Sequence, residues 1–194
     1  MKKFIRSFFA IDISDPLLSL LESIQSTLHQ KLRSPVKWVD ISKIHLTIKF
    51  ISDLDAAHLG SIAEQIRAEI SPIPSFQIRP TRIGVFPNQR NPRVIWVGVN
   101  HPPELINIAE ITERVCCSFG YPAENRKFSP HLTLARIRNP LPEDDASRLH
   151  QLINDLTWED NFGISVSNIS MYESQLTPNG PRYNKLFIIG LRIE

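Results

Sequence analysis

Two short stretches constrain this chain more than anything else in it: His45-Leu46-Thr47-Ile48 and His131-Leu132-Thr133-Leu134, 86 positions apart. Each lies in an apolar run rich in β-forming residues, and strand geometry decides what such a run displays. Side chains alternate faces and each residue advances about 3.3 Å, so His45 and Thr47 share a face roughly 6 to 7 Å apart while Leu46, Ile48 and Phe50 take the other. In the second copy His131 and Thr133 share a face, with Leu132 and Leu134 opposite. One face of each strand is chemical and the other builds core. The repeated pattern points to one site made from two half-sites, each in its own strand-and-helix half.

At 194 residues and 42% hydrophobic, the chain can bury a sizeable core, and it has no low-complexity linker. One bilobed domain over residues 1–194, without a separate tail domain, is the expected organisation. A formal net charge of +2 and a sequence pI of about 8.6 are too mild for a duplex-coating protein but fit a local basic cleft for a phosphorylated ligand. Cys116 and Cys117 are adjacent in a helical stretch, where a mutual disulfide has poor geometry and a four-ligand metal site has no partners; both read as reduced packing residues. No apolar run approaches the roughly 18 residues of a membrane span. Met1-Lys2-Lys3-Phe4 leads into a strand rather than a signal segment, so a cytoplasmic location is expected, and a monomer is the expected state.

Hydrophobic periodicity predicts strands over Phe4 to Ile13, Val36 to Val39, Ile44 to Ile51, Phe76 to Val85 and Val94 to Val99, then the second motif strand. Two closing strands, Ile164 to Glu173 and Tyr183 to Ile193, flank the turn Thr177-Pro178-Asn179-Gly180-Pro181. A first helix runs from Pro16 to near Arg33, with Leu17, Leu20, Leu21, Ile24 and Leu28 as its apolar stripe. A second opens at Asp53 or Asp55 and stops before Ser71-Pro72-Ile73-Pro74. A third spans Glu104 to Phe119 with Gly120 as its C-terminal cap, and a fourth spans Pro142 to Leu156. Consecutive strands often lack a helix long enough for a parallel crossover. The expected class is therefore α+β, two similar lobes with mostly antiparallel sheets lining a central cleft and helices outside.

Two facing imidazoles suit acid and base work, one neutral and taking a proton from water, the other protonated and giving one to a leaving oxygen. A threonine hydroxyl two residues on can donate to an oxyanion between them. Such acid and base work is needed most where a phosphodiester is opened without a metal ion. A metal site fits less well, because each motif offers one imidazole and one hydroxyl with no carboxylate or thiolate at a matching offset. No Gly-x-Ser-x-Gly elbow supports a serine hydrolase. Nearby cations suit the same charge: Lys49 shares the parity of His45 and Thr47, Arg126 precedes His131 by five residues and Arg136 follows it by five. Regular alternation points Arg136 away from the site, so it reaches a phosphate only where the strand twists, bulges or ends.

The two motifs resemble the His-x-Thr-x signature of the two-histidine phosphoesterase superfamily. Other stretches look like its 2′-5′ RNA ligase, or RNA 2′,3′-cyclic phosphodiesterase, branch: Arg6-Ser7-Phe8-Phe9-Ala10-Ile11-Asp12, Trp38, Val94-Ile95-Trp96-Val97-Gly98, Arg126-Lys127-Phe128-Ser129-Pro130, Tyr172-Glu173-Ser174 and Arg182-Tyr183. The resemblance implies a pseudo-twofold fold with the motifs on facing central strands. It also implies cofactor-free, metal-independent hydrolysis of a terminal 2′,3′-cyclic phosphate on RNA or a nucleotide to a 2′-phosphate, with a reversible 2′-5′ ligase activity. In that scheme His131 activates water, His45 protonates the departing 3′ oxygen, and Thr47, Thr133 and Arg136 hold the phosphate. Phe8, beside Arg6 by strand parity, is then the candidate platform for the terminal base. Two alternatives stay open: the same chemistry on another small cyclic or 2′-5′-linked nucleotide, and a noncatalytic RNA or nucleotide binder.

Overall fold

A computed structural model describes residues 3–159, 162–178 and 180–193. The chain runs through β1 (Phe4–Asp12), α1 (Leu17–Lys31), β2 (Lys37–Trp38), β3 (His45–Asp55), α2 (Leu59–Ile70), β4 (Phe76–Ile78) and β5 (Pro80–Phe86). It continues through β6 (Val94–Val99), α3 (Pro103–Ser118), β7 (His131–Arg136), α4 (Glu143–Asp155), β8 (Ile164–Val166), β9 (Asn168–Thr177) and β10 (Gly180–Gly190). Met1 and Lys2 of the N-terminal stretch and Asn179 of the closing turn lie outside the described residues.

The α+β class holds. One sheet runs β10-β9-β1-β3-β7-β6-β5 with every neighbouring pair antiparallel, and β2 pairs with β7 off that path. It narrows at its centre, where β3 meets β7 at one ladder pair, Leu46 opposite Leu132. Both leucines are fully buried. On one side β10, β9, β1 and β3 carry α2 and α3; on the other β5, β6, β7 and β2 carry α1 and α4.

These lobes are not the two halves of the chain, which corrects the simple reading from element order. After β1, helix α1 crosses to the β7 lobe, where the Gln25 amide donates to the Val39 and Leu134 carbonyls at 2.9 Å each. After β6, helix α3 crosses the opposite way. Strands β5 and β9 are exchanged in the same manner, so each half of the chain completes the sheet of the other. The exchange fixes the two motif strands relative to one another.

The helices form where apolar spacing demands. In α1 the buried residues are Leu17, Leu20, Leu21, Ile24 and Leu28, and in α2 Ile62, Ala63, Ile66 and Ile70. The end of α3 is a Schellman turn: Gly120, at φ +87°, donates to the Cys117 carbonyl and Tyr121 to that of Cys116. Two expected strands are each broken. The first divides into β4 and β5 at Arg79-Pro80, where Pro80 has no N–H to continue a ladder. The second divides into β8 and β9 at Ser167, and the freed segments β4 and β8 pair with each other. Cys116 and Cys117 are free thiols, and burial pushes that of Cys116 up to about 12.

Candidate active site

The site begins from the buried leucine pair. Carrying the antiparallel register one residue either way sets His45 beside Thr133 and Thr47 beside His131, all four on the face opposite the leucines. The two histidines are then a diagonal cross-strand pair, and such neighbours lie roughly 7–8 Å apart, their Cβ atoms somewhat closer. All four side chains line one cavity of about 520 Å³, together with Arg136. Each histidine thus faces the hydroxyl of the other motif as well as its own.

A bulge follows the threonine in both strands. Along β3, Thr47 pairs with Ala10 and Lys49 with Phe9, leaving Ile48 as the extra residue; along β7, Thr133 pairs with Trp96 and Ala135 with Ile95, leaving Leu134. Each bulge reverses the alternation beyond it. In β7 this turns Arg136 into the cavity, the condition the sequence set for it. In β3 it turns Phe50 into the cavity and Lys49 out of it, overturning the expectation for both. Lys49 is 3% exposed, ion-paired to Glu113 of α3 at 2.8 Å and bonded to the Pro122 carbonyl at 2.9 Å. It is not a phosphate ligand in this arrangement.

Both imidazoles are anchored alike. Nδ1 of His45 lies 2.8 Å from the Lys43 carbonyl and Nδ1 of His131 lies 2.7 Å from that of Ser129. A carbonyl only accepts, so each Nδ1 carries a proton and Nε2 is left for cleft chemistry. His45 stacks on Phe8 at 4.6 Å and meets Tyr183 edge-on at 5.3 Å, while Phe86 and Trp96 meet His131 edge-on at 5.0 and 6.2 Å. Burial pushes both imidazoles below their ordinary value, against backbone hydrogen bonds that raise it.

Charge breaks the symmetry. The cross-strand partner of His45 is Asp12, whereas that of His131 is Gly98. Asp12 favours the imidazolium at His45, and Arg136 disfavours it at His131. Burial opposes ionisation of Asp12, yet hydrogen bonds from Lys185 (2.8 Å), Tyr172 and Ser170 (2.9 Å) hold its carboxyl below the usual range. The two half-sites therefore differ in the sign of the charge beside the imidazole, while burial lowers both.

A family model described as LigT like phosphoesterase matches the chain twice, over residues 11–96 and 97–183, with one motif in each match. The chain belongs to the LigT-like phosphoesterase family. The boundary between the matches falls inside β6, as expected of halves that exchange strands. A relative from Methanothermobacter thermautotrophicus named RNA 2′,3′-cyclic phosphodiesterase is 32% identical over 187 residues, covering 96% of this chain and 99% of that one. Another of the same name from Aeropyrum pernix is 34% identical over 157 residues, covering 79% and 85%. Crystal structures of a Thermus thermophilus protein and of apo E. coli LigT share the fold, with TM-scores of 0.83 and 0.73. Each is 22% identical to this chain, covering 98% and 97% of it and 100% and 98% of the other chain respectively.

Two further expectations change in this LigT-like cleft. Phe8 is 3% exposed and stacked by His45 from β3 and Tyr172 from β9, the strands flanking β1, so it has no free face for a base. It supports His45 instead. Arg126 is exposed on the loop before β7 and does not line the cavity. Phe86 had no signal in the motifs, and Tyr183 and Asp12 stood in quoted stretches without a role, because each reaches a histidine through a pairing between distant strands. Phe8, Tyr172 and Tyr183 all stood in quoted stretches, but nothing in the sequence joined them into one aromatic cluster.

No helix is long and apolar enough to cross a membrane among the described residues.

Proposed function

We propose that the chain is an RNA 2′,3′-cyclic phosphodiesterase that opens a terminal cyclic phosphate to a 2′-phosphomonoester by histidine acid–base chemistry, without a metal ion. The observation that carries the reading is that His45 and His131 line one cavity, each with Nδ1 committed to a backbone carbonyl and Nε2 left free for the substrate. The curated relatives carry the same name at about 30% identity over most of the chain. His131, beside cationic Arg136, takes a proton from water as its oxygen attacks phosphorus. The P–O3′ bond breaks, and His45, beside Asp12, gives its proton to the departing oxygen. Thr47, Thr133 and Arg136 donate to the nonbridging oxygens as charge builds there. A 5′-hydroxyl in place of water makes a 2′-5′ linkage by the same steps, and the reverse breaks it.

The nucleoside rests on the wall that the β3 bulge creates. Phe50 is 37% exposed there, with the Arg6 guanidinium 5.0 Å from its ring centre and Leu176 alongside. An exposed aromatic face suits an unpaired base. The proposal includes one bilobed unit acting as a cytoplasmic monomer.

Hydrolysis of 2′,3′-cyclic AMP in excess EDTA tests this. The expected product is 2′-AMP at an undiminished rate; a 3′-AMP product, or turnover that EDTA abolishes, contradicts it. The acid and base roles have their own test. Asp12→Asn removes the charge that favours protonated His45, so the imidazole loses its proton at lower pH. The alkaline limb of the kcat/KM profile is expected to move to lower pH while the acid limb stays in place; movement of the acid limb alone reverses the assignment.

A further inference from the structure

A second cavity, of about 390 Å³, adjoins the first. Both volumes fall in the range of ligand-sized pockets, about 300–1,000 Å³. The two share His45, Lys43 and Tyr183 as a common wall, and the second adds Asp12, Tyr172 and Arg182 but nothing from the His131 strand. Its charge is instructive. Asp12 is already neutralised by Lys185 at 2.8 Å. Lys43 makes only an exposed pair with Asp40 at 3.5 Å, a contact of small net worth. Arg182 is exposed on β10, with no ion pair among the described residues. What the second cavity has to offer a ligand is therefore unspent positive charge, one aromatic wall and no acid–base pair.

We infer that this cavity takes the phosphodiester immediately upstream of the terminal nucleotide, so that the enzyme grips an RNA strand and not only its cyclic end. The inference rests on the proposed roles above. If His45 protonates O3′, the ribose lies against His45, and the 5′ substituent of that ribose leaves on the side away from His131. The second cavity lies on that side, and Arg182 is the cation there with no ion pair among the described residues. A guanidinium matches two phosphate oxygens at once, which a mononucleotide lacking the upstream phosphate cannot use.

The test compares 2′,3′-cyclic AMP with a diadenosine dinucleotide ending in a 2′,3′-cyclic phosphate, on wild type and on Arg182→Glu and Arg182→Ala. Wild type is expected to show a KM about tenfold lower for the dinucleotide, the size of one charge-assisted contact. Arg182→Glu should erase that advantage, Arg182→Ala should remove most of it, and both should leave kcat and KM for the mononucleotide within about twofold. Equal KM values in wild type, or equal losses on both substrates in the variants, overturn the second cavity while leaving the hydrolase intact. Turnover of neither substrate by wild type overturns the hydrolase reading and the second cavity with it.

Discussion

Alanine at His131 is expected to lower kcat/KM for a 2′,3′-cyclic nucleotide by about 10²–10⁴-fold, the usual contribution of a positioned general base. His45→Ala should cost as much by removing the general acid. The size of the effect follows from the local wiring: each Nδ1 is committed to a carbonyl two residues back, so Nε2 is the one nitrogen the ring can offer the substrate. Neither change should unfold the protein, because both rings sit half-buried on the cleft face while the leucines behind them carry the packing. Thermal melting monitored by circular dichroism separates the two effects. A loss below tenfold for either variant, with the fold intact, removes that histidine from the chemistry.

The second large effect concerns the lysine that strand parity assigned to the site and the bulge at Ile48 turned away. Glu113→Ala strips Lys49 of its partner at 2.8 Å, leaving the Pro122 carbonyl and Glu124 at 3.9 Å around a side chain 2% exposed. Breaking a buried pair from one side costs about 3–5 kcal/mol. The lower end applies here, because Glu113 is itself 29% exposed and Glu124 remains. For a domain of this size about 3 kcal/mol lowers Tm by roughly 6–12 °C. Lys49→Met keeps the volume and leaves Glu113 in contact with solvent, so it should cost under about 1.5 kcal/mol. Both variants should keep kcat/KM within about threefold at temperatures where they are folded. A hundredfold loss in Lys49→Met with Tm unchanged would restore the lysine as a phosphate ligand.

Why the sequence misplaced Lys49 yet paired His45 with His131 is a matter of range. Alternation over two residues holds from His45 to Thr47 and from His131 to Thr133, so the reactive face was legible. It fails at Ile48 and Leu134, because a bulge depends on the neighbouring strand and leaves no mark in local spacing. The same blind spot hid Phe50 and left Arg136 conditional. Helix stripes such as Leu17 to Leu28 were legible because their contacts repeat within a few residues. The exchange of α1 and α3 between lobes was not, since pairings such as Leu46 with Leu132 join distant parts of the chain. Asp12 stood in a quoted stretch, but its place across from His45 exists only once β1 and β3 pair.

The central claim is that neither His-x-Thr is a site alone and that both imidazoles act on one phosphorus. The double variant His45→Ala/His131→Ala, measured beside both single variants on 2′,3′-cyclic AMP in EDTA, tests it most directly. Groups acting in one transition state are strongly non-additive, so the double variant should lose about as much kcat/KM as the worse single variant. A loss equal to the product of the two single losses would mean that the histidines act independently, and would contradict a shared phosphorus.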